Sequence, residues 1–130
     1  MSLSPERLDR FARHIVLPEI GGAGQIALAK KHLVLVGLGG IGSPALQYLA
    51  GAGIGKLTLV DDDRVDASNL QRQTLFNERD IGHGKAVIAK RWVTGFDPEL
   101  DVQISDRRIT LANAPDLVIG ADLVLDGTDN

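Results

Sequence analysis

The sequence predicts an α/β fold in which helices pack on both faces of a mainly parallel, doubly wound sheet. Three observations predict it. Short apolar runs that suit buried strands alternate along the chain with segments whose apolar residues recur at helical spacing. A glycine-rich turn directly follows the first apolar run, at residues 33–36, and an acidic residue, Asp61, directly follows the second. This order is typical of a sheet that binds a nucleotide at the carboxyl ends of its strands.

Composition limits the chain to one domain or less and argues against several kinds of partner. The chain has 130 residues, of which 44% are hydrophobic, enough to form a core. Its net charge of −3 gives no reason to expect nucleic acid or an anionic membrane as a partner. It has no cysteine, so disulfides, a thiolate zinc site and a cysteine nucleophile are excluded within these residues. Because it shows no signal peptide and no membrane-spanning apolar run, we expect a cytoplasmic protein.

The first 32 residues predict a helical arm. Ser4 can cap a helix that has Pro5 in its first turn. Proline and glycines at 17–22 interrupt this helix, and a second short helix is expected at 25–31. We therefore divide the chain into an arm, residues 1–32, and a nucleotide-binding domain, residues 33–130. The apolar stripe of the first helix consists of Leu8, Phe11, Ala12 and Ile15.

The glycine-rich turn has the G-x-G-x-x-G spacing of a Rossmann-like nucleotide site. Its glycines allow a tight turn, close approach of a phosphate to the backbone, and close packing of the helix on the strand. The free N–H groups at the start of that helix attract an anion. Asp61 follows nineteen residues after the last glycine, where a ribose hydroxyl is expected. The alternative is a tight turn without a ligand. The motif glycines are Gly37, Gly39 and Gly42.

The remaining elements complete a four-stranded sheet. A polar stretch at 61–73 is too long for a simple turn, and long loops in compact domains are often functional. A helix is expected at 83–94, a third strand around Val102, and a short helix at 111–119. The fourth strand, at 121–126, lies near the end of the sequence. Since parallel strands are normally covered on both faces, we expect a domain truncated after its fourth strand, and so a piece of a longer protein.

Several charged residues are candidates for the chemistry of the site. A lysine in the first turn of a helix is unfavourable there, so Lys85 either meets a polyphosphate or is solvated. Arg72, in the long loop, can bind phosphate through its guanidinium, although taken alone it favours an ordinary surface position. Arg13, on the arm, favours a solvated helix face more strongly still. Asp126 and Asp129 follow the fourth strand, where a carboxylate can hold Mg²⁺ together with substrate phosphates or lie in an ordinary loop.

Together these residues resemble the adenylating enzymes of the MoeB/ThiF type, which are relatives of the ubiquitin-activating enzymes. The resemblance covers nearly the whole chain in one order, and the segment NLQRQ is far more specific than the glycine turn. Gly84 departs from the family, whose members often have proline immediately before the lysine. The segments that carry the resemblance are RFARHI at 10–15, GLGGIGS at 37–43, DDD at 61–63, NLQRQ at 69–73, DIG at 80–82 with Lys85, and LDGTDN at 125–130.

The resemblance implies ATP-dependent adenylation. The substrate would be the C-terminal glycine carboxylate of a small ubiquitin-like sulfur-carrier protein, in molybdopterin or thiamine-type biosynthesis, and the products an acyl-adenylate and pyrophosphate. Asp129 would bind magnesium, and Arg13 would reach across a homodimer into the partner's site. Zinc is possible only through residues beyond Asn130. The implied ATP-binding residues are Gly37, Gly39, Gly40 and Gly42 under the nucleotide, Asp61 on the ribose, and Asn69, Arg72 and Lys85 on the phosphates.

Other functions remain open from the sequence alone. Within the superfamily, a tRNA-modifying dehydratase also activates a carboxylate-type group. An NAD-dependent oxidoreductase would share the glycine turn and the acid, but needs no cluster of cations beside them. A non-catalytic module is the third alternative, and the simultaneous presence of Arg13, Arg72, Lys85 and Asp129 argues against it. Whether this fragment is active or dimeric alone stays open.

Overall fold

The structure is a computed structural model that describes residues 2–128, in which six α-helices and four strands alternate largely as the sequence predicts. Two single 3-10 turns lie in the long loops, at Ala67–Asn69 and Glu78–Asp80. The helices are α1 (Pro5–Arg10), α2 (Ala12–Ile15), α3 (Gly21–Ala29), α4 (Gly42–Ala52), α5 (Lys85–Phe96) and α6 (Ala114–Val118), and the strands are β1 (His32–Val36), β2 (Lys56–Val60), β3 (Asp101–Ser105) and β4 (Leu123–Asp126).

The four strands form one parallel sheet in the order β3-β2-β1-β4. Leu35 of β1 lies opposite Leu59 of β2 and Leu125 of β4. The chain therefore moves outward from β1 to β3 on one side and returns to place β4 on the other side. Loops that leave β1 and β4 at their carboxyl ends diverge at this switch point, which is where parallel sheets bind ligands. The predicted Rossmann-like fold is confirmed.

The two faces of the sheet have cores of different size. On one face, leucines of β1 and β2 pack against α4 and α5, and Leu46 and Val93 on these helices are completely buried. On the other face, Val34, Val36 and Val60 form a smaller cluster that is covered by partly buried residues of the 109–121 segment. Within residues 2–128, no helix combines the length and the apolar character needed to cross a bilayer.

The arm differs from the prediction in two respects. The helix expected at 25–31 begins four residues earlier, because the chain is already helical at Gly21, and it ends at Ala29. The predicted stripe is not a single buried helical face, because the backbone leaves the helical conformation at Phe11, between α1 and α2. Phe11 alone among the stripe residues is buried, whereas Leu8 is 45% exposed. The division of the chain at residue 32 stays a prediction.

The sixth helix is shorter than predicted. Residues 111–113 form a turn instead of the first helical turn, because Thr110 and Asn113 hydrogen-bond each other's backbone N–H groups with their side chains. Pro115 then lies in the first turn of α6, where its missing N–H has no cost.

A buried ion pair fastens the arm to the end of α5. The Arg7 guanidinium donates to the Asp97 carboxylate at 2.7 Å, and the Asp97 side chain is 1% exposed. Burial raises the pKa of Asp97, but the hydrogen bond and the charge of Arg7 outweigh it, so this pKa lies below its usual range. Arg10 adds a second attachment, since it donates to the backbone oxygen of Phe96 and lies over its ring.

We predict that Arg7→Met lowers the free energy of unfolding by roughly 3 kcal/mol, because it leaves a buried carboxylate without its partner. Denaturant unfolding of the full-length protein measures this change. The depressed pKa of Asp97 means that the pair stabilises the fold above about pH 4 and ceases to do so as Asp97 is protonated at lower pH. The difference between wild type and variant should therefore shrink below that pH.

Arg79→Met is the matched control, since Arg79 is exposed and takes part in no ion pair among residues 2–128. Equal losses in both variants, or a difference that does not depend on acid, would contradict a stabilising role of the pair.

Candidate functional site

A cavity of about 600 Å³ opens at the carboxyl ends of β1, β2 and β4. Its walls are the glycine turn, the three aspartates after β2, the 69–73 segment, Lys85 at the start of α5, and residues 107–109 after β3. All of the predicted nucleotide-binding residues line this cavity except Gly42, which is buried behind it. The fold therefore brings together segments that are up to about ninety residues apart in the sequence.

The glycines of the turn serve two different purposes. Gly37 has φ +93°, and a β-carbon on Gly42 would lie 1.8 Å from the Gly37 oxygen, so both positions require glycine for the turn to pack against α4. In contrast, a β-carbon on Gly39 or Gly40 would approach protein atoms no closer than 3.6 Å. The protein itself does not require glycine at these two positions, which form an open part of the cavity wall.

Asp61 holds the glycine turn to the end of β2. One of its carboxylate oxygens accepts a hydrogen bond from the Leu38 N–H at 2.7 Å, and the other accepts from the Asp63 N–H at 2.7 Å. This structural role adds to the contact with the nucleotide ribose that the family resemblance implies for Asp61. A carboxylate oxygen has two lone pairs, so Asp61 still has acceptor capacity that faces the cavity.

Lys85 is buried in the cavity wall. The alternative that it is an ordinary solvated lysine is therefore wrong. The residue is 4% exposed, and its Nζ lies 3.4 Å from the Asp63 carboxylate. The loop after β2 positions it, because the Lys85 N–H donates to the Asp63 oxygen and the Val65 N–H donates to the His83 oxygen. Asp63 thus compensates part of the unfavourable position of a cation at a helix start.

Arg72 and Asn69 come from the loop that crosses the cavity. The Asn69 side chain accepts from the Asp66 N–H in a capping box at the 3-10 turn. Hydrogen bonds from the Ser68 N–H and hydroxyl lower the pKa of Asp66.

Arg72 is exposed, passes beside Gly40, and donates to the Ser68 oxygen at 3.2 Å. Among residues 2–128 it has no carboxylate within ion-pair distance, so its charge is available to a ligand.

One predicted catalytic residue, Arg13, is absent from the described cavity wall, and another, Asp129, cannot be placed relative to it. Arg13 is exposed on α2, and the structure contains no second chain that could test its role across a dimer. Asp129 lies outside the described residues, although Thr128 before it lines the cavity.

Within residues 2–128 there is no cluster of three or more His, Cys, Asp or Glu side chains that could hold a metal ion. Hydrogen bonds from the Thr128 hydroxyl and N–H lower the pKa of Asp126, which keeps it ionised beside the cavity.

Sequence reasoning gave no site role to several residues of the cavity wall, among them two arginines and Gln73. Arg107 and Arg108 follow β3, and a pair of basic residues at the carboxyl end of a strand was a signal that could have identified them. Gln73 is 2% exposed, and no atom of residues 2–128 hydrogen-bonds to its side-chain oxygen. A buried amide oxygen without a hydrogen-bond donor costs about 1–3 kcal/mol. The sequence gives no sign of that burial.

The arrangement suits a polyanion. Arg72, Lys85, Arg107 and Arg108 place four cations around one cavity, whose floor is a glycine turn at the start of a helix. A nucleotide with several phosphates is a ligand of this kind.

Comparison with known proteins agrees with this geometry. The SAMP-activating enzyme E1 of Haloferax volcanii is 44% identical over 130 residues, which cover 100% of this chain and 48% of that protein. The sulfur carrier protein ThiS adenylyltransferase of Escherichia coli is 44% identical over 121 residues, 93% of this chain and 48% of that protein. The crystal structure of E. coli tRNA N6-threonylcarbamoyladenosine dehydratase, TcdA, in complex with ATP has a TM-score of 0.92 at 30% identity and covers 100% of this chain and 53% of that one.

The chain spans about half the length of these relatives. The model of the ThiF family matches residues 11–130, which include every segment of the cavity wall. This chain belongs to the ThiF family.

Proposed function

We propose that the intact protein uses ATP to adenylate the C-terminal glycine carboxylate of a small ubiquitin-like sulfur-carrier protein. One observation carries the proposal: Gly39, Gly40, Asn69, Arg72 and Lys85 line a single cavity, although they come from three separate segments. These are the residues that the family resemblance associates with ATP. The relatives named as adenylyltransferases of sulfur carriers support the same reaction.

The reaction needs two anions to meet. A carboxylate oxygen attacks the α-phosphorus and forms the acyl-adenylate, while the bond from the α-phosphorus to the bridging oxygen breaks and pyrophosphate leaves with the electron pair. No proton transfer and no side-chain nucleophile is required. Arg72 and Lys85 reduce the repulsion between the anions and stabilise the charge that develops on pyrophosphate. The rigid glycine turn contributes by fixing the position of the phosphates.

Magnesium and a second subunit complete the proposed site. Asp129 would hold Mg²⁺ against the phosphates, and the ion would neutralise charge on the departing group. Arg13 would act in the site of the other subunit of a homodimer. Arg13 is exposed on α2 and does not line the cavity of its own chain, which is compatible with that role.

A dehydratase that acts on modified tRNA is the second candidate. The structural similarity to TcdA in complex with ATP favours it, with a TM-score of 0.92 over the whole chain. Both candidates use ATP, so the acceptor distinguishes them. An oxidoreductase is less compatible with the cavity, because a dinucleotide has no need of four cations around the glycine turn.

The full-length protein should catalyse ATP–pyrophosphate exchange that depends on a sulfur-carrier protein with a C-terminal glycine. Arg72→Ala and Lys85→Ala should each reduce the exchange rate at least about a hundredfold, since each removes a cation that faces the reacting phosphates. Exchange of radiolabelled pyrophosphate into ATP measures the rate, and circular dichroism verifies the fold.

Arg79→Ala is the matched control, because Arg79 is exposed and does not line the cavity. Near-normal rates in the Arg72 and Lys85 variants would assign these residues to a structural or surface role. Binding of a reduced nicotinamide cofactor without any exchange would contradict adenylation itself.

The role of Arg13 across a dimer has its own test. Arg13→Ala and Asp129→Ala proteins should each be inactive, whereas a mixture of the two should regain up to about a quarter of the wild-type rate. The reason is that a random mixed dimer contains one site in which both residues are intact. If the mixture stays as inactive as its components, Arg13 does not act in the partner's site.

The two kinds of glycine in the turn predict opposite behaviour. Gly42→Ala should lower the free energy of unfolding by roughly 2–3 kcal/mol, because its β-carbon collides with the Gly37 oxygen. Gly40→Ala should change it by less than about 0.5 kcal/mol but weaken ATP binding roughly tenfold, because its β-carbon obstructs the approach of phosphate to the wall. Chemical denaturation and calorimetric ATP titration measure the two effects. Unchanged ATP affinity in Gly40→Ala would exclude a phosphate at this part of the wall.

A further inference from the structure

A very short helix carries Arg13. α2 has four residues, about one helical turn, and a helix of this length has little stability of its own. Ala12 and Arg13 are exposed, whereas His14 and Ile15 are half-buried. The direction in which the Arg13 side chain is presented therefore depends on what the other residues of α2 contact.

A buried glutamine on α3 holds α2. Gln25 is 1% exposed, and its side-chain Nε2 donates to the Ala52 oxygen at 3.0 Å. Since a carbonyl oxygen only accepts, this bond fixes the orientation of the amide. The Gln25 Oε1 atom lies 3.2 Å from the His14 Nδ1 atom. An amide oxygen also only accepts, so His14 is the donor and carries a proton on Nδ1.

The carboxyl end of α4 is shaped to receive this link. Ala52 is the last residue of α4, and the last carbonyls of a helix have no partner within it. Gly53 follows with φ +91°, and a β-carbon there would collide with the Gln25 amide nitrogen and the Phe11 ring. The His14 ring stacks on Phe11, with centroids 5.9 Å apart. Gln25, Phe11 and His14 thus form one packed cluster against the end of α4.

The same helix connects this cluster to the nucleotide cavity. α4 begins at Gly42, in the glycine turn, and ends at Ala52, which accepts from Gln25. Its eleven residues span about 16 Å. The link therefore fixes the arm, and Arg13 on it, relative to the glycine turn of the same chain.

We propose that Gln25 and His14 are positioning residues for adenylation, which set the direction from which Arg13 enters the cavity of the partner subunit. The inference rests on the proposed function, because it takes Arg13 to act across a homodimer. A cation stabilises developing charge only from the correct position, and a displacement of about 1 Å can reduce a rate by about a hundredfold. Neither Gln25 nor His14 lines the described cavity of its own chain, so both act through Arg13.

The test replaces His14 in the full-length protein, because a change at Gln25 would also leave the Ala52 oxygen without its donor. His14→Phe keeps an aromatic ring beside Phe11 and removes the donor to Gln25. The rate of carrier-dependent ATP–pyrophosphate exchange at saturating ATP should fall roughly tenfold. The ATP concentration for half-maximal rate should stay within about twofold of wild type, because the chain's own cavity is intact. His14→Gln restores an N–H donor and should recover most of the rate.

His32→Phe is the matched control. The His32 Nε2 atom lies 2.7 Å from the Thr58 hydroxyl, but this bond joins β1 to β2 and does not involve α2. The exchange rate of this variant should equal that of the wild type. An equal fall in His14→Phe and His32→Phe, or no recovery in His14→Gln, would overturn the positioning role.

Mixed dimers show whether His14 acts through the partner's site. In a dimer of one His14→Phe and one Asp129→Ala subunit, the His14→Phe subunit has an unchanged cavity and receives the intact arm of the other. An equal mixture should therefore reach about a quarter of the wild-type rate, roughly two to three times that of His14→Phe alone. If His14 acts only within its own subunit, the mixture should have about half the rate of His14→Phe alone, and the inference is overturned.

Failure of adenylation and failure of the positioning role give different results. A wild-type protein that binds ATP but catalyses no carrier-dependent exchange contradicts adenylation, and the positioning role falls with it. Recovery in the mixture of Arg13→Ala and Asp129→Ala without recovery in the His14→Phe mixture leaves the proposed function standing and overturns only the role of Gln25 and His14.

Discussion

The hydrogen bond from the Leu38 N–H to the Asp61 carboxylate is the interaction on which the site depends. It joins the turn after β1 to the end of β2, and the close contact of Gly42 with Gly37 fixes the same turn against α4. The turn is therefore fixed on both sides before any ligand arrives. A rigid wall of backbone can place phosphates precisely without loss of entropy at the time of binding, which is how preorganised sites gain rate.

Charge is arranged around this wall in two ways. Lys85 is buried and paired with Asp63, so its position is fixed, whereas Arg72 is exposed and has no carboxylate partner among the described residues. A fixed cation and an adjustable one suit a reaction in which a triphosphate first binds and then loses pyrophosphate. The buried pair of Arg7 and Asp97, at the opposite end of α5, holds the arm against the domain and so determines where Arg13 is presented.

Local patterns were sufficient to predict most of the fold, and specific side-chain contacts that such patterns do not show account for what they missed. The four strands and α4 and α5 are visible as apolar periodicity and glycine punctuation, which are properties of neighbouring residues. The break at Phe11 and the shortened α6 were not visible in this way. Phe11 is buried by tertiary packing, and reciprocal hydrogen bonds between Thr110 and Asn113 set the start of α6. In the site, the motif residues were identifiable by type and spacing. The burial of Lys85 and the unpaired oxygen of Gln73 depend on what the fold places around them, which the sequence does not display.

The most direct test of the account is the mass of a sulfur-carrier protein after incubation with the full-length protein, ATP and Mg²⁺. If the cavity is an adenylation site, intact-mass spectrometry should show a carrier heavier by one adenylyl group, with the modification on its terminal glycine. A carrier that lacks the terminal glycine should stay unmodified. An unmodified wild-type carrier, under conditions in which the protein demonstrably binds ATP, would contradict the account.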